Sequence, residues 1–203
     1  MMALWLQGLV IGLAIAAPVG VIGTLVIRRS LAGGVPLGFA TGMGAAVADG
    51  VYGVVAVLGF AALAPWLALI DTPLRVVGAL VLGWIAWGIW RAPVGTPAEV
   101  GPSVADLGRA FASTFVLTLI NPATILLFAG IFASLSLADQ GTAALAVAAG
   151  VFCGSALWWL GLASVVGSAR RFVSPRAMGW INLASALTIA GFAVAGLAGI
   201  WLS

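Results

Sequence analysis

The sequence predicts an all-α integral membrane protein whose six transmembrane helices form a 3+3 inverted-topology repeat, with helices one and four broken. Three observations support this fold class. The chain is 64% hydrophobic and only 6% charged, whereas about a quarter of the residues in a soluble domain are charged. Its apolar stretches are close to the roughly 20 residues that a helix needs to cross a bilayer. The two halves of the chain also share short motifs in the same order.

The apolar stretches divide the chain into two repeats. The first repeat covers residues 1–91, the second covers 109–203, and a proline- and glycine-rich cytoplasmic linker at 92–108 joins them. Each repeat has three spans, so the second repeat must enter the membrane from the opposite side. Asp71 and Pro73 are expected to interrupt the chain before the third span. The predicted spans are 4–27, 37–64, 74–90, 110–135, 142–167 and 179–201.

Spans one and four each contain a proline, at Pro18 and Pro122. Proline lacks an N–H and clashes with the carbonyl four residues before it, so both helices should break or kink. The backbone groups freed by a break survive in a membrane only inside protein or beside a cavity. The two prolines lie 104 residues apart, and paired breaks of this kind are typical of a transporter's substrate site. The alternative is that each proline only bends its helix. The predicted substrate contacts at these breaks are Pro18, Gly20, Asn121, Pro122 and Thr124.

Span two carries a carboxylate, Asp49, at its centre. An ionised Asp at the middle of a bilayer costs roughly 2.5–3.5 kcal/mol on insertion scales, so such residues usually serve a substrate or proton path. Small residues on an adjoining face of this helix let another helix approach closely, which points Asp49 into the bundle. We predict that Asp49 carries the proton or binds the substrate amine. A structural Asp that never titrates is the alternative. The small residues are Gly38, Gly42, Ala46 and Gly50.

Spans two and five align at an offset of 106 residues, which places Asp49 opposite Ser155. Tyr52 and Ser155 are further candidate substrate contacts, although Tyr52 would serve equally as a packing residue and Ser155 as a helix-to-helix bond. Spans three and six align through a glycine in each, at an offset of 108 residues. The ridge on span five, Ala146, Gly150 and Gly154, allows either internal packing or a homodimer, and both interpretations stay open.

The arginines are distributed unevenly between the two sides of the membrane. Under the positive-inside rule the richer side is cytoplasmic, and both termini are then external. Arg28 and Arg29 are interpreted as topology determinants. The other side has Arg75 alone. The arginines on the cytoplasmic side are Arg28, Arg29, Arg91, Arg109, Arg170, Arg171 and Arg176.

Several classes of function are excluded by composition. The chain has no His and one Cys, which leaves no metal-ligand cluster and no intrachain disulfide. It has no paired catalytic carboxylates and no phosphate-binding loop with a lysine, so we expect no enzyme and no cofactor. No basic patch interleaved with aromatic residues indicates nucleic acid as a partner. Without a nucleotide-binding loop, active transport must use a gradient or an unseen partner.

Four blocks of sequence resemble the LysE-type translocator (lysine exporter) family. They are Ala16–Gly20, Ile27–Gly34, Gly38–Gly53 and Asn121–Leu126, within a similarity that covers almost the whole chain. The resemblance implies efflux of an amino acid or related small metabolite across a bacterial inner membrane, driven by the proton motive force. It assigns Pro18 and Gly20 to the family's Pro-x-Gly break, Asp49 to its acidic position, and Asn121 with Pro122 to its Asn-Pro motif. The sequence departs from the pattern at Ala17, Val21 and Ile22, so lysine itself is not implied.

We therefore predict a secondary transporter in the bacterial inner membrane, with a proton, an amino acid and the lipid bilayer as its partners. A passive channel for small solutes is the first alternative, but polar residues are sparse and concentrated at depth, which favours an occluded site. A scaffold subunit that does not transport is the second alternative. It would leave Asp49 and the paired breaks unexplained.

Overall fold

The computed structural model describes residues 1–18, 20–57, 60–91, 101–121, 124–125, 127–128 and 142–201. These residues form helices and turns and contain no strand, which confirms the all-α prediction for this part of the chain. The helices are α1 (Met2–Ala16), α2 (Val21–Val57), α3 (Phe60–Trp90), α4 (Val104–Leu119), α5 (Thr142–Ala169) and α6 (Pro175–Trp201), with a 3-10 turn at Arg170–Phe172.

The helices have the length and surface of membrane-spanning segments. By length and composition, the candidate spans are Leu145–Phe172, Pro175–Ala198 and Val21–Val55, the last of which contains the reversal at Gly34 described below. Met2–Ala16 and Arg75–Trp90 are shorter apolar helices. Large apolar side chains stand on the outer surface. Contiguous apolar surface of this kind is rare on soluble monomers and is the surface that lipid accepts. Examples are Leu80, Trp84, Val165, Trp180 and Leu187.

The α2 helix reverses direction at Gly34, where φ is 79° and ψ is −173°. Residues 29 and 41 would lie about 18 Å apart along a straight helix, yet Arg29 Nη1 donates to Thr41 Oγ1 at 3.4 Å. We call residues 21–33 the first limb and residues 35–57 the second limb. A positive φ is readily adopted only by glycine, and Pro36 is tolerated because it lies in the first turn of the second limb.

Several helix bounds differ from the sequence predictions. The second limb ends at Val57, although span two was predicted to reach residue 64, and α3 then continues through Asp71 and Pro73 without the expected interruption. In lipid an irregular segment would leave backbone groups unsatisfied, so a continuous helix is favoured. The α4 helix begins at Val104, inside the predicted linker 92–108.

A capping box explains the early start of α4. Ser103 Oγ accepts from the Asp106 N–H at 3.2 Å, and Asp106 Oδ2 accepts from the Ser103 N–H at 3.1 Å. Two of the N–H groups that a helix start leaves without partners are thereby satisfied. The spacing of these two residues was visible in the sequence and was missed.

The helices pack in pairs through small residues. The second limb of α2 packs on α4 and α5, α1 packs on α5, and α3 packs on α6. Gly8 and Gly12 of α1 lie against the backbone of Val147 and Val151 of α5. The ridge on span five therefore packs internally through Gly150 and Gly154, which lie against α1. Homodimerisation stays a prediction.

Two helix crossings have the same atomic contacts. Gly44 of the second limb lies against the Phe111 carbonyl oxygen and the Phe115 nitrogen of α4. Gly150 of α5 lies against the Trp5 carbonyl oxygen and the Leu9 nitrogen of α1. Three pairs of equivalent residues are each separated by 106 positions: Gly44 and Gly150, Phe111 and Trp5, and Phe115 and Leu9. The same separation relates Asp49 to Ser155. The first helix of each half therefore crosses the second helix of the other half in the same way.

A buried apolar cluster lies between the first limb, α3, α4 and α6. We call it the central apolar cluster, and its most buried members are Leu25 and Ile189, with 1% and 0% exposure. Its residues are Val21, Leu25, Ala86, Ile89, Leu117, Ala186 and Ile189.

Candidate functional site

Asp49 is buried at the contact between the second limb and α5, with 4% of its surface exposed. Ser155 Oγ donates to Asp49 Oδ2 at 2.7 Å, and Trp159 Nε1 donates to Ser155 Oγ at 3.1 Å. In the described part of the chain no arginine forms an ion pair with Asp49. The repeat alignment placed Asp49 opposite Ser155, and the structure brings the two side chains into direct contact. Trp159, one helical turn after Ser155, was not predicted.

Small residues make this contact close enough to exclude lipid. Gly42 lies against the Trp159 side chain, Gly50 against Phe152 and Gly53 against Ala148. A helix without side chains on one face can approach its neighbour at short distance. The Asp49 carboxylate is consequently held inside protein at the meeting of two halves of the chain.

Tyr52 connects this contact to the end of α4. Its hydroxyl donates to the Leu119 carbonyl oxygen at 2.7 Å, and its ring stacks on Phe128 with 5.1 Å between centroids. Tyr52 lies one turn beyond Asp49 on the same helix face. It therefore joins the buried carboxylate to the segment that leads into Asn121.

A cavity of about 420 Å³ brings together residues from the two predicted breaks. Gly20, from the break between α1 and α2, and Asn121, just after α4, both line it, together with Arg75 and Phe192. We call it the Asn121 cavity. Two predicted site residues, one from each predicted break, therefore border one space.

The remaining predicted contacts are placed differently. Pro18 is exposed in the gap between α1 and α2. Thr124 is half-buried and lines neither of the two cavities described here. The same holds for Asp49, Tyr52 and Ser155. Pro122 lies outside the described residues.

A second cavity, of about 610 Å³, is lined by four arginines and one acid. We call it the arginine cavity, and its charged residues are Arg28, Arg29, Arg109, Arg170 and Asp106. Hydrogen bonds from Ser103 hold the pKa of the Asp106 carboxyl below its ordinary value, so this acid is ionised at neutral pH. Four guanidinium groups against one carboxylate leave the cavity strongly positive.

Two arginines of this cavity, Arg28 and Arg29, form hydrogen bonds between helices. They were predicted only as topology determinants. Arg29 donates to the Ala110 carbonyl oxygen at 3.1 Å and to the hydroxyls of Ser113 and Thr114 at 3.0 and 3.3 Å. Arg28 Nε donates to Asn182 Oδ1 at 2.9 Å. The first limb is thereby bonded to both α4 and α6. These hydrogen bonds were not predicted from the sequence, where Arg28 and Arg29 indicated only the orientation of the chain in the membrane.

The two cavities lie at different heights along the same three helices. Gly20, just before the first limb, and Arg29 within it border one cavity each and are about 13 Å apart along a helix axis. Likewise, α3 contributes Arg75 to one cavity and Trp84 to the other. On the first limb, Leu25 of the central apolar cluster lies between the residues that border the two cavities, whereas Val21 and Leu117 of the cluster border the Asn121 cavity itself.

This architecture is that of an integral membrane protein of the transporter class. It combines an apolar outer surface, a buried carboxylate, and two cavities at different levels of the same helices. The LysE type translocator family matches residues 13–198 of the chain, and the protein belongs to this family. The resemblance recognised in the sequence is thus confirmed.

One curated relative is the uncharacterized membrane protein YahN of Escherichia coli (strain K12). It is 33% identical to this chain over 138 residues, which cover 66% of this chain and 61% of the relative. The chain thus matches somewhat less than two thirds of that protein's length. No solved structure matches the chain.

Proposed function

We propose that this protein is a secondary transporter that exports an amino acid or related small metabolite across the bacterial inner membrane by proton antiport. The observation that carries the proposal is the pair of cavities at different levels of the same helices, with the buried Leu25 on the first limb between the residues that border them. A passive channel would require a continuous polar path. A closed barrier between two cavities favours alternating access.

The repeated crossings support an inverted-topology repeat as the basis of this transport. Gly44 against α4 and Gly150 against α1 make equivalent contacts, so a movement that loosens one crossing has a counterpart at the other. Rocking one three-helix unit against the other would open one cavity while it closes the other. In this proposal helices one and four are the broken helices, and Gly20 and Asn121 contact the substrate.

Asp49 is the coupling acid in this proposal. The Ser155 hydroxyl that bonds it can donate to a carboxylate or accept from a protonated carboxyl, because a hydroxyl has both capacities. The pair therefore accommodates both protonation states without a cation. Tyr52 carries any shift of the second limb to the Leu119 carbonyl, beside the Asn121 cavity.

The proposed orientation follows the arginines. The arginine cavity faces the cytoplasm, the Asn121 cavity faces the periplasm, and both termini are external. Substrate would enter from the arginine cavity and leave through the Asn121 cavity.

The test is transport by purified protein in proteoliposomes with an imposed pH gradient and a panel of labelled amino acids. We expect wild type to accumulate at least one of them and Asp49→Asn to lose at least nine tenths of that accumulation. Asp139→Asn makes the same change of charge at an acid that has no role in this proposal, so it is the matched control and should transport normally. Undiminished accumulation by a folded Asp49→Asn protein would remove Asp49 from the coupling mechanism. Flux that neither saturates nor responds to pH would favour a channel.

A further inference from the structure

The arginines of the arginine cavity are concentrated around one space, which the positive-inside rule alone does not require. Arg171 and Arg176 are exposed and do not line the arginine cavity. They can contribute to the orientation of the protein in the membrane without forming part of a site. Arg28 and Arg29 instead lie within the first limb, and their bonds to α4 and α6 fix them at the cavity wall. A set of fixed guanidinium groups around one space is the arrangement that recognises an oxyanion.

Two of these arginines have side-chain N–H groups that bond no other described residue. Arg28 uses Nε for Asn182, and its Nη1 and Nη2 groups have no hydrogen-bond partner among the described residues. The guanidinium of Arg170 likewise has no hydrogen-bond partner in the described part of the chain, and it lies beside Gly34 at the reversal of α2. Arginine presents five N–H groups in a planar fork that fits a carboxylate with two parallel bonds. Polar groups of this kind are costly to hold in a protein cavity without a partner.

We propose that the arginine cavity binds the carboxylate of an anionic substrate, so that the exported molecule is an acidic amino acid or a similar small carboxylate. This inference rests on the proposed function and names its substrate class. A dibasic amino acid would meet net repulsion from four guanidinium groups and one carboxylate. The cavity lies along the same helices as the Asn121 cavity, which favours a molecule that moves between the two over a resident ligand.

The site is tested by equilibrium binding to the full chain purified in detergent, which requires no turnover. Glutamate, glutamine and lysine are matched ligands, because they share an α-amino acid group and differ in side-chain charge. We expect glutamate to bind at least tenfold more tightly than lysine, with glutamine between them. High salt and free phosphate should both weaken glutamate binding.

Two substitutions identify the residues responsible. Arg170→Gln should weaken glutamate binding at least tenfold and remove the preference over lysine. It should fold normally, because the Arg170 side chain forms no hydrogen bond to another described residue and its backbone bond with Val173 does not depend on the side chain. Arg28→Gln should act in the same direction. Arg171→Gln is the matched control, since it removes the same charge one position away, where the side chain stacks on Phe172 and does not line the cavity. It should leave glutamate binding unchanged.

Lysine binding as tight as glutamate binding, or an Arg170→Gln protein that binds like wild type, would overturn the inference. A phospholipid headgroup presents the same oxyanion chemistry, so binding is repeated in nanodiscs of phosphatidylcholine and of phosphatidylglycerol. Loss of glutamate binding in the anionic lipid alone would assign the cavity to lipid and overturn the substrate class.

Failure of this inference and failure of the proposed function give different results. Glutamate binding that depends on Arg170, without transport of any tested solute, would leave the anion site standing and remove the export function. Proton-coupled transport that depends on Asp49, with no effect of Arg170→Gln, would leave the transporter standing and remove the anion site.

Discussion

At Asp49, a neutral hydroxyl occupies the place that a cation usually takes beside a buried carboxylate. Buried acids are almost always paired with a charge or fully hydrogen-bonded. Here Ser155 donates one bond, and Trp159 holds Ser155 in position. Because this hydroxyl comes from the other half of the chain, the acid proposed for coupling is bonded across the contact between the two halves.

Gly34 is the single residue on which the path of α2 depends. Replacing it with alanine should destabilise the protein, because a left-handed backbone costs roughly 1–2 kcal/mol for a residue with a side chain. The added Cβ would also meet Arg170 Nη1 at 2.8 Å. Thermal unfolding in detergent should show a lower midpoint for Gly34→Ala. Gly83→Ala, where a Cβ has no neighbour within 4 Å, is the control, and equal midpoints for the two variants would contradict the reversal.

Tyr52 makes a separable contribution at the end of α4. Tyr52→Phe keeps the ring on Phe128 but removes the bond to the Leu119 carbonyl, which should cost about 1 kcal/mol of stability. We expect a higher KM for transport with kcat less affected, since the Asn121 cavity loses a support and no reacting group changes. An unaltered KM would place the role of Tyr52 in packing alone.

At the scale of helices, apolar runs and prolines predicted which segments are helical. The reversal at Gly34 lies between predicted spans one (4–27) and two (37–64), where the chain was expected to turn back. The sequence did not predict that helix continues on both sides of Gly34, because Arg28 and Arg29 were assigned to a connecting segment. The third helix was predicted too short because Asp71 and Pro73 were treated as breakers, whereas backbone satisfaction in lipid extends the helix through them. The Asp49–Ser155 contact was accessible from sequence, because aligning spans two and five at an offset of 106 residues placed these two residues at equivalent positions.

The α1–α5 crossing gives a test at the same scale. Gly150→Ala should destabilise the protein, because its Cβ would overlap the Trp5 carbonyl oxygen, and the backbone of α1 cannot move aside locally. Gly161→Ala, on the same helix with no neighbour within 4 Å, should be neutral or stabilising by up to about 1 kcal/mol through helix propensity. Gly44→Ala should resemble Gly150→Ala, because its contact with Phe111 is equivalent. Unfolding midpoints measure all three, and opposite effects at Gly44 and Gly150 would contradict the equivalence of the two crossings.

For the whole molecule, the arrangement of charge matches the arrangement of space. The strongly positive cavity and the cavity beside Asn121 are at different levels of the same helices, and buried apolar residues of the central apolar cluster lie on these helices. Neither cavity could be located from the sequence, because each is lined by residues from three or more separated segments. The residues that close the path, such as Leu25 and Ile189, have the same apolar character as residues that face lipid. Only their position in the fold distinguishes them.

Accessibility of introduced cysteines tests whether these cavities open to opposite sides of the membrane. In a Cys153→Ala background, Ala195→Cys lines the Asn121 cavity and Ser113→Cys lines the arginine cavity. A membrane-impermeant maleimide should label Ala195→Cys in intact cells and Ser113→Cys in inside-out vesicles. Leu25→Cys, in the central apolar cluster, should resist labelling from both sides until substrate drives the transport cycle. Labelling of Ala195→Cys and Ser113→Cys from the same side would show that the two cavities share one mouth, and a barrier between them could then not support alternating access.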